Sequence, residues 1–172
     1  MLTQIINGQT LTPQGWLKDG SVLISDGKIL EVTNSDLAVI GAKVVDAKGM
    51  YIVPGFVAMN VHGGGGHDFK ECTEEAFHSA IAAHMKHGAT TLFPTLSSSP
   101  KELICKAVSI CEKLMAEKDG PVLGLHVEGP YLNTKMAGNL YDVKDPDEEE
   151  YRSILESTNC IKRWDASPEL PG

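Results

Sequence analysis

The first fifty residues alternate. TQIINGQTLT, GSVLISDGKILEVT and AKVVDAKGMYIV set apolar and polar side chains in turn over short runs. A period of two puts every second side chain on one face, which is the pattern of a half-buried strand. Asn7-Gly8, Asp26-Gly27 and Lys48-Gly49 punctuate these runs. Each ends in a glycine and predicts a tight turn. SVLISDGKILEV is the clearest hairpin, with Asp26-Gly27 at its bend.

From Val53 onward the rhythm becomes strand, helix, strand, helix. PGFVAMNVH reads as a strand. TEEAFHSAIAAHMKHG reads as a helix, capped by Thr73, with Glu74 and Glu75 at its positive end and Gly88 closing it. ATTLFPTL is the next strand. SPKELICKAVSICEKLMAE is a second helix, with Ser99 as cap and Pro100 in its first position. PVLGLHVEGPY predicts a third strand, residues 147–158 a helix, and CIKRWDASPE a fourth strand. Strands alternating with helices of this length form parallel βαβ units, so the fold class is α/β. Four strands and three helices make half of a (β/α)8 barrel, which takes about 250 residues. The pattern leaves two options: a small open sheet, or the front part of a longer protein.

Composition narrows the function. The chain has 172 residues, a net charge of −8 and a pI near 5.2. Phosphate backbones need clustered Lys and Arg, and the densest charge run here, DPDEEE, is acidic, so nucleic acid is an unsuitable partner. That run reads as a solvated helix start. Cys72, Cys105, Cys111 and Cys160 form no CxxC pair and read as reduced, buried or half-buried small hydrophobes. The start does not resemble a signal peptide, and no apolar run reaches the about 18 residues of a membrane span. The expectation is a cytoplasmic chain with no membrane partner.

Candidate chemistry gathers at strand ends. In VPGFVAMNVHGGGGHDF, Asn60 and His62 stand two apart and should share a face. Glu128 ends the third strand, with Gly129 and Pro130 directly after it and His126 on the same face. In a parallel barrel these C-terminal ends build the active site. His62 and Glu128 are an imidazole and a carboxylate, both good ligands for a first-row metal. Asn60 is a weaker candidate, because a neutral amide oxygen is a poor donor to zinc. A catalytic zinc takes about three protein ligands, so the set is incomplete here. Equally, His62 can be a structural histidine and Glu128 a turn cap. Gly63 to Gly66 match neither phosphate-loop pattern and read as a flexible turn. His78, His84 and His87 read as surface or core residues of the first helix.

Taken together, IINGQTLTPQGWLKDGSVLISDGKI, VPGFVAMNVHGGGGHDF, HGATTLFPTL, GLHVEGPYLN and the late strand ending in SPE resemble the N-terminal portion of the N-acetylglucosamine-6-phosphate deacetylases, of the amidohydrolase superfamily. The resemblance implies a small β-sandwich segment over residues 1–52 and the first half of a metal-dependent (β/α)8 TIM barrel over residues 53–172. It implies hydrolysis of an amino sugar phosphate, a small-molecule substrate, using one divalent metal ion, zinc by preference. Glu128 matches the metal-binding glutamate of the LEGP-like motif. Two histidines and a general-base aspartate would come from later strands, outside this sequence. A homodimer is also implied.

Two departures stand out. The superfamily's PGFxDxHxH becomes PGFVAMNVH, so Ala58 and Asn60 replace an Asp and the first His. The strand is then expected to line the site with a single metal. The KGAH-like stretch becomes KMAGNL, which puts Gly138, Asn139 and Leu140 at the substrate-binding end without the histidine. Two alternatives follow: another metal-dependent amidohydrolase with a changed substrate, or an inert, non-catalytic domain. The 172-residue chain alone is expected to be inactive.

Overall fold

The computed structural model describes residues 1–34 and 38–171. The chain divides into two compact units, Met1–Pro54 and Gly55–Gly172.

The first unit is one sheet. It contains β1 (Leu2–Thr12), β2 (Gly15–Ser25), β3 (Lys28–Thr33), β4 (Lys43–Asp46) and β5 (Tyr51–Ile52). The order is β3-β2-β1-β4, with β5 also on β1. β1 to β3 form an antiparallel meander, while β4 and β5 run parallel to β1. Asp26 and Gly27 both take positive φ, +50° and +76°, which suits the right-handed twist of the β2–β3 hairpin.

Asn7-Gly8 does not make the turn that its chemistry predicts. β1 runs straight through it, with a register shift between Ile5 and Gly8. Asn7 takes φ +57° and the strand bulges. Gly8 is needed for close approach: a Cβ there would sit 2.3 Å from Ile52 Cδ1. The reversal falls instead at Pro13 and Gln14, where the Thr12 hydroxyl donates to the Gly15 carbonyl at 2.8 Å.

The second unit begins with β6 (Phe56–Val61), the short pair β7 (Gly63–Gly64) and β8 (His67–Asp68), and a 3-10 turn (Phe69–Glu71). It continues through α1 (Glu74–Lys86), β9 (Ala89–Leu96), α2 (Lys101–Met115), β10 (Leu125–Glu128), α3 (Glu148–Ser157) and β11 (Ile161–Asp165). The main sheet has the order β11-β10-β9-β6, and every neighbouring pair is parallel. This is the strand–helix succession of the first half of a (β/α)8 barrel.

Packing explains the helices. On α2, Ile104, Ala107, Val108, Cys111 and Leu114 recur at helical spacing and are all buried. They join Phe69, Phe77, Leu92, Leu96 and Leu125 in one core. Thr73 caps α1 by accepting from Ala76 N–H at 3.2 Å, and Asp147 caps α3 by accepting from Glu150 N–H at 3.0 Å. α2 departs from expectation. Pro100 has extended φ and ψ of −67° and 159° and sits outside the helix as its cap residue. Ser99 is then one residue too early to cap, and its hydroxyl donates to the Ser97 carbonyl at 2.7 Å. Cys105 is exposed rather than buried, whereas Cys111 and Cys160 are buried and Cys72 is half-buried.

Two ladder irregularities shape the strand ends. From Ala58 to Val61, β6 takes three steps while β9 takes two, from Leu92 to Pro94. On the other side of β9, Leu92 pairs with Val122 while Thr95 pairs with His126. That leaves one extra residue between Val122 and His126. Pro94, which has no N–H, lies in the gap. No described helix is long and apolar enough to cross a membrane.

Candidate active site at the strand ends

Glu128 is fixed by its surroundings. Gly129, at φ +86°, turns the chain away, and a Cβ there would lie 3.0 Å from Leu132 Cδ1 and 3.1 Å from Ser98 Oγ. The Gly129 N–H donates to the Asp165 carbonyl at 3.0 Å, and Trp164 Nε1 donates to the Gly129 carbonyl at 2.7 Å. The carboxylate itself is partly exposed. His62 follows the end of β6, and its carbonyl accepts from Phe69 N–H at 2.8 Å. Its Nε2 lies 3.2 Å from Glu128 Oε2. The structure thus brings together the two residues whose types suit a metal.

Asn60 does not join them. It stands in the β6 bulge, where strict alternation fails, and its side chain is exposed. Among the described residues it makes no hydrogen bond with His62 or Glu128. Gly138, Asn139 and Leu140 lie in the loop between β10 and α3. Gly138 takes φ +59° and Leu140 N–H donates to the Ala137 carbonyl at 3.0 Å. The loop is fastened at Asp142, whose carbonyl accepts from Ser98 Oγ at 3.1 Å and whose carboxylate pairs with Lys70 at 3.3 Å.

The glycine run is a pinned hairpin, not a free turn. β7 and β8 pair, and α1 lies against them. A Cβ on Gly65 would sit 2.9 Å from the Ser79 carbonyl, and one on Gly64 would sit 3.2 Å from His84 Nε2. His84, read from sequence as having no role, donates to the Gly63 carbonyl at 2.8 Å. Asp68 and Glu71 close the 3-10 turn as a capping box.

Beneath Glu128 lies a group that sequence reading left without a role. His126 is fully buried, with Nδ1 3.1 Å from Thr95 Oγ1 and Nε2 3.2 Å from Asp165 Oδ2. The second approach is oblique, and Nε2 lacks an aligned hydrogen-bond partner. Burial holds the imidazole below its ordinary pKa, more strongly than Asp165 raises it. Asp165 is gripped by Arg163, Nε to Oδ1 at 3.0 Å and Nη2 to Oδ2 at 2.9 Å. Burial pushes its carboxyl up, but Arg163 and His126 outweigh this and hold it below the usual range. Thr95 Oγ1 also accepts from Val61 N–H at 3.0 Å. Thr95, Arg163 and Asp165 carried no sequence signal beyond their place near strand ends.

Glu150 is another departure. Within the acidic run read as solvated, it accepts from Tyr131 Oη and Lys144 Nζ, both at 2.8 Å.

As a donor set, Glu128 and His62 fit part of a metal site. Among the described residues no three His, Cys, Asp or Glu side chains gather closely enough to hold an ion. Further ligands would have to come from elsewhere.

Fold and site together define the class: a parallel strand–helix half-barrel with an acidic residue at the end of β10. No family model matches the chain. N-acetylglucosamine-6-phosphate deacetylase from Haemophilus influenzae is 32% identical over 137 residues, covering 78% of this chain and 35% of that protein. The Homo sapiens deacetylase is 30% identical over 138 residues, covering 76% and 32%. Among solved structures, the Pasteurella multocida deacetylase superposes with a TM-score of 0.90 at 22% identity, over 99% of this chain and 46% of that one. A Mycobacterium smegmatis deacetylase, solved in complex with N-acetyl-D-glucosamine-6-phosphate, gives 0.85 at 27% identity, over 99% and 45%. The chain spans about a third of the length of the curated relatives it matches. Its relatives are N-acetylglucosamine-6-phosphate deacetylases, and the chain corresponds to their N-terminal portion.

Proposed function

We propose that this chain serves in the hydrolysis of N-acetylglucosamine 6-phosphate to glucosamine 6-phosphate and acetate. The observation that carries this is the meeting of His62 and Glu128, 3.2 Å apart, at the strand ends of a half-barrel matched by deacetylases. One divalent metal, zinc by preference, would polarise the amide carbonyl and activate water. Glu128 would be its ligand from this chain. His62 would hold the carboxylate in place or serve as a second donor, with Asn60 as a polar neighbour. Two histidines and a general-base aspartate would come from segments beyond this sequence. Gly138, Asn139 and Leu140 would border the sugar. The setting is the cytoplasm and the assembly a homodimer.

The test is acetate release from N-acetylglucosamine 6-phosphate by the protein at the full length its gene encodes, alongside elemental analysis. Turnover with one metal per chain, both lost in Glu128→Ala, is the expected result. Two fully occupied metals per site would overturn the single-metal reading. KMAGNL and Asn60 favour a second reading, an amidohydrolase acting on a related substrate. A panel of N-acetyl sugar phosphates separates the two.

A further inference from the structure

We propose that His126 is a positioning residue, which fastens the β6 end bearing His62 to the β10 end bearing Glu128 through the Thr95 hydroxyl. This rests on the deacetylase reading only for its consequence in turnover. The geometry of the relay stands on its own.

Thr95 Oγ1 has one proton and three polar neighbours. Val61 N–H must donate to it, at 3.0 Å. The proton can go to the Phe93 carbonyl at 3.2 Å or to His126 Nδ1 at 3.1 Å. The tautomer of His126 decides which. If Nδ1 carried the imidazole proton, Nε2 would set a bare lone pair 3.2 Å from Asp165 Oδ2. Arg163 keeps a carboxylate there by two hydrogen bonds. A bare nitrogen lone pair that close to a carboxylate oxygen is repelled by its charge, so the proton belongs on Nε2. Nδ1 is then an acceptor. The Thr95 hydroxyl turns to donate to it, and its lone pairs face Val61 N–H.

The result is a directed chain from His126 through Thr95 to the Val61 amide, with the charge of the Arg163-held Asp165 carboxylate setting the tautomer at its start. It joins three neighbouring strands of the main sheet, β10, β9 and β6. It ends where β6 leaves its bulge, one residue before His62. Ladder bonds alone are irregular there, so a side-chain tie has a task that a regular sheet would not give it.

The experiment uses the full-length protein with isotopically labelled histidine. Nitrogen chemical shifts of His126 should show a protonated Nε2 and a bare Nδ1. Amide exchange at Val61 should quicken on the order of tenfold in Thr95→Val and return in Thr95→Ser. In turnover, Thr95→Val should lower kcat while KM stays near the parent value, as misplacing His62 and Glu128 requires. A protonated Nδ1, unchanged Val61 exchange in Thr95→Val, or a defect confined to KM would each overturn the relay. If Thr95→Val fails to fold, the parent tautomer and Thr95→Ser still decide. Absence of acetate release by the parent would defeat the deacetylase reading and leave the tautomer result intact.

Discussion

The indole of Trp164 donates to the carbonyl of Gly129 at 2.7 Å, so the peptide just after Glu128 is held from the neighbouring strand. The same indole stacks on Tyr131, with ring centroids 5.7 Å apart. Trp164→Phe keeps a ring and removes the donor. The Gly129 carbonyl then loses its partner, and about 1–2 kcal/mol of stability should go with it. Urea unfolding measures this, and an unchanged midpoint would refute the tie.

Two glycines of the same run should differ in tolerance. A Cβ on Gly63 would lie 2.1 Å from the His67 carbonyl oxygen, a backbone atom that cannot step aside. Gly66, at φ +87°, has open space around it. Gly66→Ala should cost about 1–2 kcal/mol in backbone strain alone. Gly63→Ala should cost clearly more, because the hairpin must deform. Calorimetric Tm values of the two variants give the order directly.

The core of the second unit leans on an aromatic pair. Phe69 and Phe77 are fully buried, edge to face, with centroids 4.8 Å apart. Phe77→Ala should lower stability by about 3–5 kcal/mol. Phe77→Leu should recover much of that, and denaturant titration of both variants tests it.

Acid should weaken the second unit through His126 and Asp165. Both folded pKa values lie below their ordinary ones. The unfolded chain therefore binds more protons, and stability falls as pH falls. The His126 contribution is fully present above its unfolded value of about 6.5 and is lost as pH drops through its lowered folded value. Asp165 adds a second loss further down. Urea midpoints between neutral and mildly acidic pH should show both, and His126→Asn should flatten the upper part of the decline.

β6 should make this chain self-associate. Among the described residues β6 pairs in the main sheet only with β9, and Phe56, Val57 and Met59 are 62%, 58% and 52% exposed. An apolar edge without a strand partner recruits further strands. Light scattering of the 172-residue chain should show oligomers that Val57→Lys reduces.

Where the chain follows local rules, its sequence is readable. ATTLFPTL is a strand from Ala89 to Leu96, and Thr73 and Asp147 cap their helices as their chemistry demands. Distant partners defeat local rules. Asn7-Gly8 and Asp26-Gly27 look alike, but Gly8 lies under Ile52 and stays within a strand. His62 and Glu128 were legible because metal-type residues at strand ends are a local signal. Thr95 was not, since its meaning comes from Val61 and His126 on two other strands.

The gap at Pro94 fixes which residues face the site. From Leu92 to Thr95 is three steps, while their partners Val122 and His126 are four apart. Side chains alternate along a strand, so that odd residue acts as a parity switch. Pairing in step from Val122, with no extra residue taken up, would set Leu125 against Thr95, send Glu128 to the opposite face and bring Val127 round in its place. One residue carrying no functional group therefore chooses between an acidic pocket and a greasy one.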